Sequence, residues 1–264
     1  MFKVRALPPL RRLSFDPIRQ ARGVCRRATE SLAVVFALVA SSTATAWSSP
    51  STASDAAVPA VQQLAMLNHT IDAYGAPRHG ARVVESVSRE RPITGERTVL
   101  PVVARTTDSS GGVWLKVLLP GRPNGHSGWV SARTITQATT RWRIAIRTST
   151  RQVSVFSNGR LVRTFLAVVG APSTPTPVGH FFVEETIRLD PSAVGAPYAL
   201  ALSARSIVLQ EFDGGPGQIA LHGLDNVGGT PGTAASHGCI RLTTGAISWL
   251  AGRIEPGAPV TITR

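Results

Sequence analysis

The chain has 264 residues, 43% of them apolar, with 24 glycines, 19 prolines, few aromatics and a formal charge of +13. That composition supports a globular core of one or two domains and favours a loop-rich β protein over a helical bundle. It argues against nucleic-acid binding, because no basic run or aromatic–basic stripe follows residue 46.

In chain order, residues 1–46 read as an export signal. Eight basic residues, including the pair Arg11-Arg12, stand against Asp16 and Glu30 and precede the apolar run Leu32–Ala40. Small residues ending in Ala44-Thr45-Ala46 follow, a cleavage pattern. The run is short for a membrane span, which needs roughly 20 residues. An exported protein of the cell envelope or exterior is expected, touching the membrane only through this signal or, if uncleaved, through an anchor. Cys25 precedes the apolar run and leaves with the signal. Cys239 is then the one cysteine of the mature chain, either paired between molecules or reactive.

Residues 47–80 read as a small-residue linker, "WSSPSTASDAA", followed by a short helix over 58–75 with Val61, Leu64, Met66 and Leu67 on its apolar side. Residues 81–140 read as a small β-barrel domain. Its strands are expected at 82–87, 98–105, 113–119 and 128–130, with Gly121-Arg122-Pro123-Asn124-Gly125 as a turn. This segment resembles the bacterial Src-homology-three-like barrels of secreted wall enzymes. Trp114 and Trp129 are read as packing residues. Residues 135–141 read as a connector.

Residues 141–264 read as a second β-rich domain. Strands are expected at 143–147, 152–156, 161–169, 181–187, 198–202, 218–221 and 260–263, with a hairpin turn at Ser157-Asn158-Gly159. One helix is expected over 243–253, capped by Thr243 or Thr244, with Ala246, Leu250 and Ala251 on its inner side. Glu184 and Glu185 are expected on opposite strand faces, which makes them a poor acid–base pair. Asp213 and Asp225 are read as turn caps.

The chemistry concentrates in Ser236-His237-Gly238-Cys239-Ile240-Arg241. Cysteine attacks as thiolate and needs a base or positive charge nearby. His237, two residues away, is expected to point away from the thiol and to orient the turn. His222, at the end of a strand, is expected to serve as general base and then general acid. Gly238 allows a tight bend, and amides near Gly238 and Cys239 are expected to face an oxyanion. Arg241 is expected to hold a substrate carboxylate.

These residues resemble the catalytic domain of the L,D-transpeptidases, the YkuD-like family. The resemblance rests on His222, the loop after it, and Ser236-His237-Gly238-Cys239-Ile240-Arg241, together with Gly170 and the phrase Thr174-Pro175-Thr176-Pro177-Val178-Gly179-His180-Phe181. It implies a mainly β fold, with a small barrel followed by a β-sandwich catalytic domain carrying a short helix. It implies no metal and no cofactor. The cysteine would attack peptidoglycan stem tetrapeptides after their third residue, release D-alanine, and pass the acyl group to an amine of another stem, giving 3→3 crosslinks. Cys239 would be nucleophile, His222 base, and the Gly223 carbonyl the partner of the far nitrogen of His222. Tyr198 is placed either in the cleft or as a core aromatic, and carbapenems are expected to acylate the thiol. A monomer is expected. The other readings are a non-catalytic peptidoglycan-binding protein and a cysteine-dependent L,D-carboxypeptidase or endopeptidase on the same stems.

Overall fold

The computed structural model describes residues 58–212 and 214–264. The export signal expected over 1–46, the linker up to residue 57 and the turn residue Asp213 lie outside these residues. The described part is mainly β, as expected, with one α-helix. No helix among the described residues is long and apolar enough to cross a membrane.

Seven strands build the first sheet: β1 (Gln62–Leu67), β2 (Ile71–Tyr74), β3 (Val83–Val87), β4 (Val99–Thr107), β5 (Val113–Leu118), β6 (Ser127–Ser131) and β7 (Ile135–Thr140). All pairings are antiparallel, in the order β3-β2-β6-β5-β4-β1-β7. Val87 from one end of this order and Ile135 from the other join Leu67, Leu100, Leu115, Val117 and Val130 in one core. The sheet therefore curls around that core. The buried Trp114 indole donates to Asp108 Oδ2 at 2.7 Å. Asp108 also accepts from the Ser110 hydroxyl and the Ser110 and Gly112 amides, and these bonds hold its carboxyl well below the usual carboxylate range.

Two expectations fail in this region. Residues 58–75 form β1 and β2 rather than a helix, so the sheet begins before residue 81. β1 lies between β4 and β7 and is paired along both edges. A short apolar run does not distinguish helix from buried strand by periodicity, and a helix this short is marginal without tertiary support. Residues 135–140 are likewise no connector: β7 pairs with β1 residue by residue from Gln62–Thr140 to Leu67–Ile135. Only Arg141 separates β7 from the next strand.

The second sheet contains β8 (Trp142–Arg147), β9 (Gln152–Ser157) and β10 (Arg160–Leu166). After the two-residue β11 (Val169–Gly170) come β12 (Gly179–Arg188), β13 (Tyr198–Arg205) and β14 (Gln218–Gly223). The short β15 (Ala234–Ser236), β16 (Ile240–Leu242), α1 (Thr244–Ala251) and β17 (Pro259–Thr263) complete the chain. The eight-stranded order is β10-β9-β8-β17-β12-β13-β14-β16, while β11 and β15 pair with each other. The Thr243 hydroxyl accepts from Ala246 N, which caps α1, and Ala246, Ile247 and Leu250 bury its inner side against β13 and β14.

β12 joins the two sheets. Its alternate residues serve different cores: Phe181 and Val183 pack in the second, Phe182 in the first. Glu184 accepts from Arg91 of the first sheet's side and from Arg205 Nη2 at 3.2 Å, and all three side chains are buried. Burial pushes the Arg205 guanidinium down to about 10, with the nearby Arg122 charge adding to the effect. Glu185 also turns to this seam and accepts from Thr94 N and Oγ1, both at 2.9 Å. A register shift between Val183 and Glu185 breaks the alternation that would have separated the two glutamates.

Because Phe182 is fully buried in a core mostly made by other strands, Phe182→Ala should destabilise the protein by about 3–5 kcal/mol. Urea unfolding followed by tryptophan fluorescence should show one transition, since Trp114 and Trp142 report the two sheets. Two separate transitions, or a loss below about 1 kcal/mol, would contradict this shared core.

Candidate active site

The site follows from one parallel pairing. β14 lies beside β16 with Leu221 opposite Ile240, His222 opposite Arg241 and Gly223 opposite Leu242. Ile219, Leu221, Ile240 and Leu242 are buried in the core. The alternate residues Gln218, Ala220, His222 and Arg241 are partly exposed on the opposite face, and Cys239 is half-buried one step before β16. Strand spacing and rise place Cys239 and His222 one strand across and two residues along, a Cα diagonal of roughly 8 Å. The Cys239 Sγ lies 4.0 Å from the Gln218 carbonyl oxygen.

The turn that presents Cys239 is braced by hydroxyls. The Ser236 Oγ donates to the Cys239 carbonyl at 2.6 Å and accepts from Gly238 N at 3.1 Å. Thr174 Oγ1 donates to the Ser236 carbonyl at 3.0 Å, and Thr176 Oγ1 donates to the Gly238 carbonyl at 2.8 Å. The Gly170 amide donates to Thr176 Oγ1 at 2.9 Å. The two threonines of the Thr-Pro-Thr-Pro phrase thus hold the turn before Cys239 from β11's side. Gly238 has φ 119°, where glycine is favoured.

Two expectations change here. The Gly238 N–H is committed to Ser236 Oγ, so it does not face the cleft as an oxyanion donor. His237 does not orient the turn by a ring hydrogen bond among the described residues. Its exposed ring lies against Phe212, with centroids 5.5 Å apart and a tilt of 32°. In a plain strand His237 and Cys239 would share a face. The left-handed φ of Gly238 breaks that alternation between them.

His222 Nδ1 lies 2.8 Å from the Gly223 carbonyl oxygen. A carbonyl only accepts, so Nδ1 carries the proton and Nε2 keeps its lone pair. Gly223 is required at its position: a Cβ there would run into the Ala196 carbonyl oxygen. Its amide donates to the Gly195 carbonyl at 2.8 Å, which fixes the histidine strand against residues 193–197. Burial pushes the His222 imidazole below its ordinary value, opposed by the Gly223 bond and aided by the charge of Arg241. Burial pushes the Cys239 thiol up, opposed by the Ala220 amide and by Arg241. Both directions favour the neutral thiol and neutral imidazole over a thiolate–imidazolium pair.

Arg241 Nη1 donates to the Gly228 carbonyl at 3.3 Å, while its buried Nε has no partner among the described residues. Tyr198 does not join the cleft face. Its neighbour Ala199 pairs with His222, so Tyr198 points to the other face and packs against the second core. Sequence reasoning passed over Thr174, Thr176 and Phe212. The threonines sat in view inside a recognised phrase, but their hydroxyl partners lie 62 residues away.

Residues 141–262 match the family model described as the L,D-transpeptidase catalytic domain, YkuD. L,D-transpeptidase 1 of Mycobacterium tuberculosis is 29% identical over 126 residues, 43% of this chain and 47% of that protein. The chain thus spans about half the length of that relative. The putative L,D-transpeptidase YkuD of Bacillus subtilis is 28% identical over 148 residues, 56% of this chain and 74% of that protein. Among solved structures, an L,D-transpeptidase from Mycobacterium smegmatis is similar at 17% identity and a TM-score of 0.37, over 64% of this chain and 91% of that one. The assignment rests on the sequence matches, which cover β8 to β17 and the whole cleft face just described. The similarity to the L,D-transpeptidase catalytic domain of the YkuD family thus lies in residues 141–262.

Proposed function

We propose that this protein is an exported, cysteine-dependent acyltransferase of the cell envelope, acting on peptidoglycan stem peptides and forming 3→3 crosslinks. The observation that carries the reading is the β14–β16 register. It puts Cys239 and His222 on one open face, with the His222 Nδ1 proton committed to Gly223.

His222 Nε2 takes the Cys239 proton as Sγ attacks the carbonyl carbon of the amide after the third stem residue. The tetrahedral adduct collapses, the carbon–nitrogen bond breaks, and His222 returns its proton to the departing D-alanine amine. The thioester on Cys239 is then attacked by an acceptor amine, whose proton passes to His222 and on to the released thiol. A thiol pushed up by burial favours proton transfer that accompanies attack over a preformed thiolate. Arg241 stands beside both groups and is assigned to a substrate carboxylate.

Incubation with a defined tetrapeptide should release D-alanine and leave a thioester mass on Cys239. Cys239→Ala should abolish both, and His222→Gln should lower the acylation rate by about 10^2–10^4-fold. Turnover by the Cys239→Ala protein, or a thioester elsewhere, would overturn the assignment. Imipenem, a carbapenem, should add its mass to the same thiol, and an unmodified intact mass after long exposure would count against the reading.

The pH dependence follows from the two directions. A base pushed below its ordinary value stays deprotonated to lower pH, so peptide acylation should persist below about pH 6.5. A thiol pushed up should react with iodoacetamide appreciably only above the ordinary thiol range of about 8.5. An alkylation profile already flat at about pH 7 would reveal a preformed thiolate–imidazolium pair and refute the neutral resting state.

A further inference from the structure

The turn between β5 and β6 belongs to the first sheet, yet its side chains grip the second. Asn124 exchanges two bonds with the Arg205 backbone, accepting from N at 2.8 Å and donating to O at 2.7 Å. Arg122 reaches further, into the loop of residues 206–217 that joins β13 to β14. Its Nη1 donates to the Pro216 carbonyl at 2.9 Å, and its Nη2 to the Ser206 carbonyl at 2.9 Å and the Leu209 carbonyl at 3.2 Å. One planar guanidinium thus ties the start, the middle and the exit of the loop together.

The loop has little else to hold it. Ile207, Val208 and Phe212 are exposed, Phe212 at 53%. Its other hydrogen bonds among the described residues are internal, such as Ser206 N to the Gly217 carbonyl at 2.7 Å and the Phe212–Gly215 pair. Both of its far connections lead to the cleft. Phe212 lies on the His237 ring, two residues before Cys239. The exit residue Gly217 is followed by Gln218, whose carbonyl faces the Cys239 Sγ, and by the strand that carries His222.

We infer that Arg122 is a positioning residue for the reaction at Cys239: from the first domain it clamps the 206–217 loop so that Phe212 stays over His237 and the start of β14 stays against the thiol. The inference rests on Cys239 being the nucleophile of the proposed function. Without the clamp the loop loses its external hydrogen bonds, the thiol becomes easier for a small reagent to reach, and acylation by a stem peptide slows.

The test compares Arg122→Ala, Arg122→Lys, Phe212→Ala and the double variant in the full protein, with Thr94→Val as a control that loses a seam contact to Glu185 away from the loop. Arg122→Ala should lower kcat for tetrapeptide acylation about tenfold, the loss of a charged hydrogen bond's worth of transition-state support, with KM changed less than about threefold. It should also speed iodoacetamide alkylation of Cys239 and deuterium uptake in 206–217. Arg122→Lys should recover part of kcat. In the Phe212→Ala background, Arg122→Ala should add little, because both act through the same loop. Thr94→Val should lower thermal stability without changing loop uptake or alkylation. An unchanged kcat in Arg122→Ala, or effects of Arg122→Ala and Phe212→Ala that multiply, would overturn the inference. Alkylation and deuterium uptake read the clamp without turnover, so an enzyme that fails to acylate on stem peptides refutes the proposed function while these two still decide whether the clamp exists.

Discussion

The parallel ladder between β14 and β16 is the constraint on which the rest of the site depends. Parallel neighbours cannot be joined by a tight turn, so a long connection must leave β14 and return in the same direction. Here that connection is the glycine-rich segment from 224 to 239. The ladder fixes which residues share a face, and a slip of one residue would send Cys239 into the core and Ile240 into the cleft. Ile240 and Leu242, both fully buried, make that slip costly. Hydrophobic burial on one face therefore holds the chemistry on the other.

The turn before Cys239 shows how such a site is stiffened without buried charge. Ser236, Thr174 and Thr176 satisfy the turn's carbonyls and the Gly238 amide. The ionised groups are kept at the seam instead, where Glu184 bridges Arg91 and Arg205. Removing Glu184 would leave two buried guanidinium groups without a carboxylate between them, which costs far more than the intact set contributes. Glu184 thus specifies how the sheets meet more than it adds to stability.

Much of the site was legible in the sequence because its elements are local. The Ser-His-Gly-Cys-Ile-Arg phrase and His222 lie within twenty residues, and the buried-exposed alternation of Gln218–Gly223 is plain. Most strands of the second sheet and the Thr243 cap were readable for the same reason. What escaped depends on distant partners. β1 and β7 looked like a helix and a connector because their identity comes from pairing with each other, some 70 residues apart. The side of β13 on which Tyr198 falls is decided by its register with β14, which no local pattern reveals. The seam role of Glu184 and Glu185 needed both a register shift and the arrival of Arg91 and Thr94 from another sheet.

The place of Phe182 also sets an order of events in the life of the chain. The first sheet is complete in sequence by Thr140, yet its core includes a side chain about forty residues further on. During synthesis, the N-terminal strands emerge first and cannot close their core until β12 has followed. Contacts of such long separation close slowly, and until then the apolar strand faces stay open to other chains. The two sheets therefore mature as one late event, and a chain arrested between residues 140 and 182 would be an unfinished, aggregation-prone sheet rather than a folded first domain.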